Sequence, residues 1–506
     1  MKRILTIPAI LLLVLCCERP SGADGNLDLP NPILPGFHPD PSVVAVGDDC
    51  YIVNSTFHYF PGVPVYHSRD LAHWEQIGNI LDRPSQLPLH ETTSWLGIYA
   101  PTIRYNDGTY YMITTNVGNG GNFMVTATDP SGPWSEPIWL EQQGIDPSLY
   151  FEGGKCYMVS NPDGVITLCE IDPVTGETLS PSKPIWTGTG GRFPEGPHIY
   201  RKGGWYYLLI SEGGTELAHK LTIARSRRIY GPYKSNPANP ILTHCSHAGQ
   251  ENIIQGTGHG DMFQRPDGSW WIVFLAYRRY GGDFHHLGRE TFIAPVTWEK
   301  GWPVVNGGNP IQENNPEGVS KRYEWDTIGP EWMHIQQPQV ENYALADGRL
   351  LLTGNGDGFE WGNWHPTSLL RRQESADARI RTSVSLSSDG EAGLVVYQIF
   401  SGFATLSVRK IGGGAEAVVR LQVRSVEKEE AVIPLRGAEA ELEISSIGDK
   451  YHFLVNGHEV ATLESPLLSS EVAGGFTGVT WGPYCRKGKA SFGPLEYLTP
   501  PAHPIH

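Results

Sequence analysis

One pattern recurs five times in the first three hundred residues, and it limits the fold more than any other feature of this 506-residue chain. Each copy is a few extended residues, a turn containing glycine, and an aromatic-rich strand. The copies run over 41–53, 101–112, 147–159, 197–208 and 261–273. Turn residues between runs of Tyr, Trp, Val and Ile mark a β-hairpin. The turn glycines are Gly47, Gly108, Gly154, Gly204 and Gly268, at intervals of 61, 46, 50 and 64 positions. Further strands follow each hairpin, as in Val65–Trp74 and Val125–Trp134. Such intervals suit four-stranded blades with loops of variable length, and a radial arrangement of blades leaves few exposed sheet edges. A two-sheet sandwich also holds many short strands, but it gives no reason for five copies of one hairpin in a row. The expected fold is all-β and begins with a five-bladed propeller.

Composition agrees. The chain has 59 Gly and 40 Pro beside 53 aromatic residues. Disordered chains can be that rich in Gly and Pro but are poor in aromatics, and long helices do not tolerate so many breakers. The formal charge of −16 argues against nucleic acid or an anionic membrane surface as the main partner.

Lys2 and Arg3 precede a mostly apolar run, Ile4–Leu15, too short to span a bilayer but of signal-peptide size. Residues 1–23 are expected to be a leader, with two possible endings. Ser21-Gly22-Ala23 offers a cleavage site for a free exported protein; Cys17 offers a loose lipoprotein box and a lipid anchor. The expected location is the bacterial periplasm or cell surface. Five cysteines remain beyond the leader and none forms a CxxC pair, so neither a zinc ribbon nor a disulfide framework is indicated. The stretch His244-Cys245-Ser246-His247 reads as a turn with incidental histidines.

The inner strand of a propeller blade starts near the channel mouth, so residues at that phase converge in space. Reading it off the copies gives Asp40-Pro41, Ala100-Pro101, Asp146-Pro147, Glu195-Gly196-Pro197 and His259-Gly260-Asp261. Taken singly, Asp-Pro is a common turn initiator, and a lone histidine is more often a core residue than a ligand. Three acids and a histidine at one phase carry more weight. Acids aimed at one axis repel, and a fold tolerates that mainly where chemistry uses them. Glycoside hydrolysis fits: one acid protonates the departing oxygen, a second activates water or attacks the anomeric carbon, and a third raises the donor's pKa. Phe57, Tyr59, Phe60, Trp95, Tyr99 and Phe193 lie close in sequence and suit either sugar stacking or blade core.

Those residues resemble glycoside hydrolase family 43. The likeness runs in order through Asn31–Ser42, Ser55–Gly62, Gly144–Leu149, Phe193–Pro197, Gly256–Asp261 and Leu287–Thr291. It implies a five-bladed catalytic propeller over about 27–310, inverting and mostly exo-acting, of the β-xylosidase and α-L-arabinofuranosidase type. It further implies that Asp40 is the general base, Glu195 the general acid and Asp146 the residue that tunes the acid. Arg289 and Phe57 would line the sugar pocket, and His259 would stand near an axial calcium or sodium ion held largely through water. No organic cofactor is implied. Inversion requires the base and acid carboxyls to be roughly 6.5–9.5 Å apart. Two departures matter. Tyr99 stands where many relatives have Trp, which alters the wall of the pocket. His38 stands where Asn is common, and either contacts the substrate or packs beside the base.

After about Asn309 the texture changes. Gln312–Arg322 is polar and reads as a linker. From Tyr323 aromatics thin and period-two strands dominate, as in Ala378–Leu386 and Leu394–Gln398, which is a β-sandwich pattern. The region 323–500 resembles the concanavalin-like jelly roll that follows the propeller in one branch of the family, where it packs on the propeller and lends a loop to the pocket rim. A carbohydrate-binding role for it is the competing expectation.

The expectation for the whole chain is an exported exo-acting α-L-arabinofuranosidase trimming plant hemicellulose, with β-1,4-xylosidase on xylo-oligosaccharides, or both activities, as the alternative. A sugar-binding propeller without catalysis should lack one of the three acids, and all three are present. A retaining fructan-cleaving propeller should carry a Trp-Met-Asn-Asp-Pro motif, which is missing.

Overall fold

The computed structural model describes residues 29–246, 249–314 and 318–500. The expected leader with Cys17, and His247, lie outside the described residues.

Five antiparallel sheets follow one another along the chain: blade 1 over 42–81, blade 2 over 97–139, blade 3 over 145–186, blade 4 over 195–235 and blade 5 over 254–305. Each has four strands in simple up-and-down order, and blade 2 carries a fifth, two-residue strand at Gly97–Ile98. The five turn glycines all have φ between 61° and 86°, the left-handed region that only glycine enters at little cost. The hairpin repeat is therefore a repeat of backbone conformation. Each inner strand touches the next, and the inner strand of blade 5 touches that of blade 1, so the ring closes. Asn31 and Leu34 strengthen the closure by bonding to Thr291 and Ile293 of blade 5.

The channel is filled along the inner strands. Arg104 of blade 2 donates to Asp261 of blade 5 at 2.7 and 3.2 Å and to Nδ1 of His198 of blade 4 at 2.8 Å. Ser42 and Tyr200 donate to the same carboxylate, each at 2.7 Å.

The second unit is one fifteen-stranded sheet curling around a single apolar core, consistent with a concanavalin-like sandwich. Ala378–Leu386 alternates strictly between buried and half-buried positions, as its sequence pattern requires. The linker is shorter than expected. Val319–Tyr323 pairs with Leu495–Thr499 and belongs to the sandwich.

The two units share structure. His334–Ile335 pairs with Tyr59–Phe60 of blade 1, and Arg372 donates to the Phe37 carbonyl at 2.6 Å. Phe37, Phe57 and Tyr59 from the propeller pack in one cluster with Ile335, Phe359, Tyr397 and Tyr484 from the sandwich.

Candidate active site

The starts of the inner strands are irregular in a shared way. Asp40, Asp146 and His259 have φ of 51°, 52° and 44°, and the ladder slips at Ile145/Ser148, Glu195/His198 and Gln255/Gly258. A non-glycine residue in the left-handed region is strained, and bulges re-aim side chains; both features cluster at functional sites. At Asp40 the strain is held by neighbours. The Asn54 amide donates to the carbonyls of His38 and Pro39 at 3.0 and 2.9 Å, and Ser55 Oγ donates to the Asp40 carboxylate at 2.6 Å.

These starts converge on one cavity of about 310 Å³. Asp40, Asp146, Glu195, His259, Arg289, Phe57, Tyr99 and Phe193 all line it, together with Thr215, Glu216 and Phe476. His38 does not. It is buried beside the base, with Nδ1 bonded to the Pro35 carbonyl at 2.9 Å and Nε2 to the Tyr66 hydroxyl at 2.7 Å. Burial, then the charge of Arg372, pushes its pKa well below the usual histidine value, so it packs as a neutral ring. Of the nearby aromatics, Tyr59 and Phe60 are core residues. Trp95 lines an adjoining antechamber of about 560 Å³ that shares Thr215, Glu216, Arg289 and Phe476 with the first cavity. The Tyr99 hydroxyl donates to the Trp95 carbonyl at 2.6 Å, so the residue offers its ring to the cavity.

The two aspartates are in opposite electrostatic settings. Burial would raise the Asp40 carboxyl, but Arg289, at 2.9 Å, His259 and Ser55 outweigh it and hold the pKa below the ordinary value. Burial, then the negative charges of Glu195 and Asp40, pushes Asp146 well above the ordinary value; only the Gly196 amide, at 3.1 Å, and Arg289 oppose this. Glu195 is the more exposed member of that pair, with 18% of its side chain accessible against 6% of the residue for Asp146. Its carboxylate lies 3.6 Å from Nε2 of the buried His219.

Repeat phase did not point to His219, which comes from the loop between two strands of blade 4. Nor did it point to Phe476, which comes from the sandwich. The Phe476 amide donates to the Ser94 carbonyl at 3.2 Å, and its carbonyl accepts from Arg289 at 3.2 Å. Glu471, on the same loop, accepts from His285 of blade 5 at 2.5 Å. The expected likeness to a pocket-capping loop was the sole sequence signal for these contacts.

The resemblance implies an ion near His259. Among the described residues no three of His, Cys, Asp and Glu are grouped to hold a metal. Asp40, 3.8 Å from His259, already serves Arg289 and Ser55, and the channel below is occupied by the Arg104 guanidinium. These donors do not fit a direct protein cage.

A family model described as glycosyl hydrolases family 43 matches residues 29–303. The chain belongs to that family. A second family model, described as the beta xylosidase C-terminal concanavalin A-like domain, matches residues 320–497 of this family 43 enzyme. Over 498 residues it is 39% identical to a non-reducing end alpha-L-arabinofuranosidase of Bacteroides ovatus, covering 92% of this chain and 93% of the relative. A xylosidase/arabinosidase of Butyrivibrio fibrisolvens is 39% identical over 508 residues, with 92% and 98% covered. Among solved structures, the family 43 protein described as GH43B of the Bacteroides ovatus xyloglucan PUL superposes with a TM-score of 0.86. It is 37% identical, with 93% of this chain and 99% of that one covered. A xylan beta-1,4-xylosidase of Bacillus halodurans has a TM-score of 0.84 at 31% identity, with 93% and 100% covered.

Proposed function

We propose that this family 43 glycoside hydrolase is an exo-acting, inverting enzyme that releases non-reducing-end α-L-arabinofuranosyl residues from plant hemicellulose. The observation that carries the reading is the convergence of Asp40, Asp146 and Glu195 on one small cavity that Phe476 of the sandwich also lines. A cavity of about 310 Å³ suits one terminal sugar better than a chain passing through. The relative named a non-reducing end alpha-L-arabinofuranosidase supports the choice of sugar. Other relatives carry xylosidase names, and release of β-D-xylose is the second reading.

In the proposed reaction Asp40, kept ionised by Arg289, takes a proton from water as the water oxygen attacks the anomeric carbon. Glu195 gives its proton to the glycosidic oxygen as the bond to that carbon breaks. Asp146, the acid's neighbour, is held well above the ordinary carboxylate value by burial and by the charges of Glu195 and Asp40. Arg289, whose guanidinium lies 5.6 Å from the Phe57 ring and 5.8 Å from the Phe476 ring, and the Tyr99 ring would position the sugar. No step passes through a metal; an ion beside His259 would be held through water. The basic and apolar leader supports export, either free or anchored at Cys17.

Hydrolysis of aryl α-L-arabinofuranoside and aryl β-D-xyloside separates the two sugars. Glu195→Ala should lose about 10²–10⁴-fold on a sugar leaving group and much less on an activated aryl group, which needs no proton. Full activity of that variant on the sugar leaving group would remove Glu195 as the acid.

A further inference from the structure

The sandwich carries an aromatic platform beside the antechamber. Trp361 is 62% exposed. It is also clamped. Trp364 and Phe400 meet its ring edge-on, with centroids 5.0 and 4.8 Å away. The loop that bears it is tied down by Asn355 donating to the His365 carbonyl at 2.8 Å, His365 N donating to Asp357 at 3.2 Å, and Arg486 donating to Glu360 at 2.6 Å. An exposed apolar side chain held rigid marks a binding surface, because a partner that docks there loses little conformational freedom to order it.

A second observation lies directly beneath. Gln336 is fully buried, lines the same crevice, and has no hydrogen-bond partner for either end of its amide among the described residues. A buried unpaired amide is costly, and it offers the N–H donors of its Nε2 and its carbonyl oxygen acceptor to whatever enters. The crevice is only about 10 Å³, far smaller than a sugar ring, so a ring must lie across Trp361 and send only a hydroxyl or a water inward. The one charged residue that lines the crevice, Glu360, is paired with Arg486. The chemistry is that of an uncharged polyhydroxylated chain.

One short turn links the crevice to the antechamber. Thr92 and Thr93 form one wall, and Trp95, three residues after Thr92, lines the antechamber. The two are parts of one tight turn, in which Trp95 N donates to Thr93 Oγ1 at 3.3 Å. We propose that Trp361, with Trp364, Phe400 and Gln336, forms a distal subsite for the neutral main chain of the polysaccharide. In this arrangement the cleaved side-chain sugar sits in the catalytic cavity and the main chain runs through the antechamber to the platform. The proposal rests on the glycosidase reading above.

The test uses native gels cast with arabinoxylan or xyloglucan, and the full chain carrying Glu195→Gln so that the polymer survives. The Glu195→Gln protein should be retarded in at least one gel, and adding Trp361→Ala should weaken the apparent affinity about tenfold, as expected for losing a central aromatic anchor. In the otherwise wild-type enzyme, Trp361→Ala should raise KM on the polymer. The aryl glycoside has no glycan beyond its leaving group, so it reports the catalytic cavity alone. Equal retardation of the two proteins, retardation of neither, or polymer kinetics within twofold of wild type would overturn the subsite. So would a Trp361→Ala-dependent change in mass on size exclusion, which would make the platform a contact between two copies. Failure of wild type to cleave any aryl glycoside would instead count against the glycosidase reading, while the gels would still decide the subsite.

Discussion

Asp40 and Asp146 are the same side chain, both buried at the start of an inner strand, yet their neighbours drive them apart. Asp40 has a guanidinium, a histidine and a hydroxyl; Asp146 has two carboxyls and one amide. The pH dependence of each follows. Asp40, with its pKa below the unfolded value, contributes stability that is full above about pH 4 and is lost as pH falls through the lower folded value. Asp146 has its pKa raised, so its ionisation costs stability progressively as pH rises from the ordinary carboxylate range through the higher folded value. Asp146→Asn should therefore raise the melting temperature at pH 8 and leave it nearly unchanged at pH 4. Melting curves over pH 4–9 check this. The three acids were legible in the sequence because the repeat gives them one phase. His38 stayed open between a substrate contact and packing beside the base, because adjacency to a catalytic residue does not tell which way a buried ring points. The Tyr66 hydroxyl that holds it is 28 residues away.

Strand starts and loop approaches set the geometry of the pocket. The repeated hairpins were readable because a left-handed turn needs glycine, and the sequence carries one at each turn. The bulges at the inner strand starts were not, since the residues held there with positive φ are Asp and His. A loop at the pocket rim was expected from the family likeness, but which residues make its approach was not readable, because the approach depends on two glycines far apart in the chain. A Cβ on Gly478 would lie 2.0 Å from the Leu287 carbonyl oxygen, and Gly288, at φ 84°, would place one 2.6 Å from Gly478. Only backbones without side chains fit this crossing. Gly478→Ala should push the Phe476 loop off the rim, raising KM several-fold on an aryl arabinofuranoside with a smaller change in kcat. An unchanged KM would show that Phe476 does not help to hold the sugar.

At the scale of the whole molecule, two devices keep the cavity in shape. The sandwich closes it from outside, and the Arg104–Asp261 pair braces the channel from within. Asp261 is fully buried, and Arg104 with its other partners holds the carboxyl down to about 2. Arg104→Met would leave that charge buried without its partner, at a cost of about 3–5 kcal/mol of stability, readable by urea denaturation. The architecture of each unit was legible from periodicity, five hairpins for one and strict alternation for the other. Their docking was not, because the strand pairing of His334–Ile335 with Tyr59–Phe60 leaves no periodic trace. The account as a whole stands on Asp40 activating water on the face opposite Glu195. Proton NMR of the sugar first released from an aryl α-L-arabinofuranoside tests this most directly. Inversion predicts that β-L-arabinose appears first and then mutarotates; α-L-arabinose appearing first would contradict Asp40 as the base.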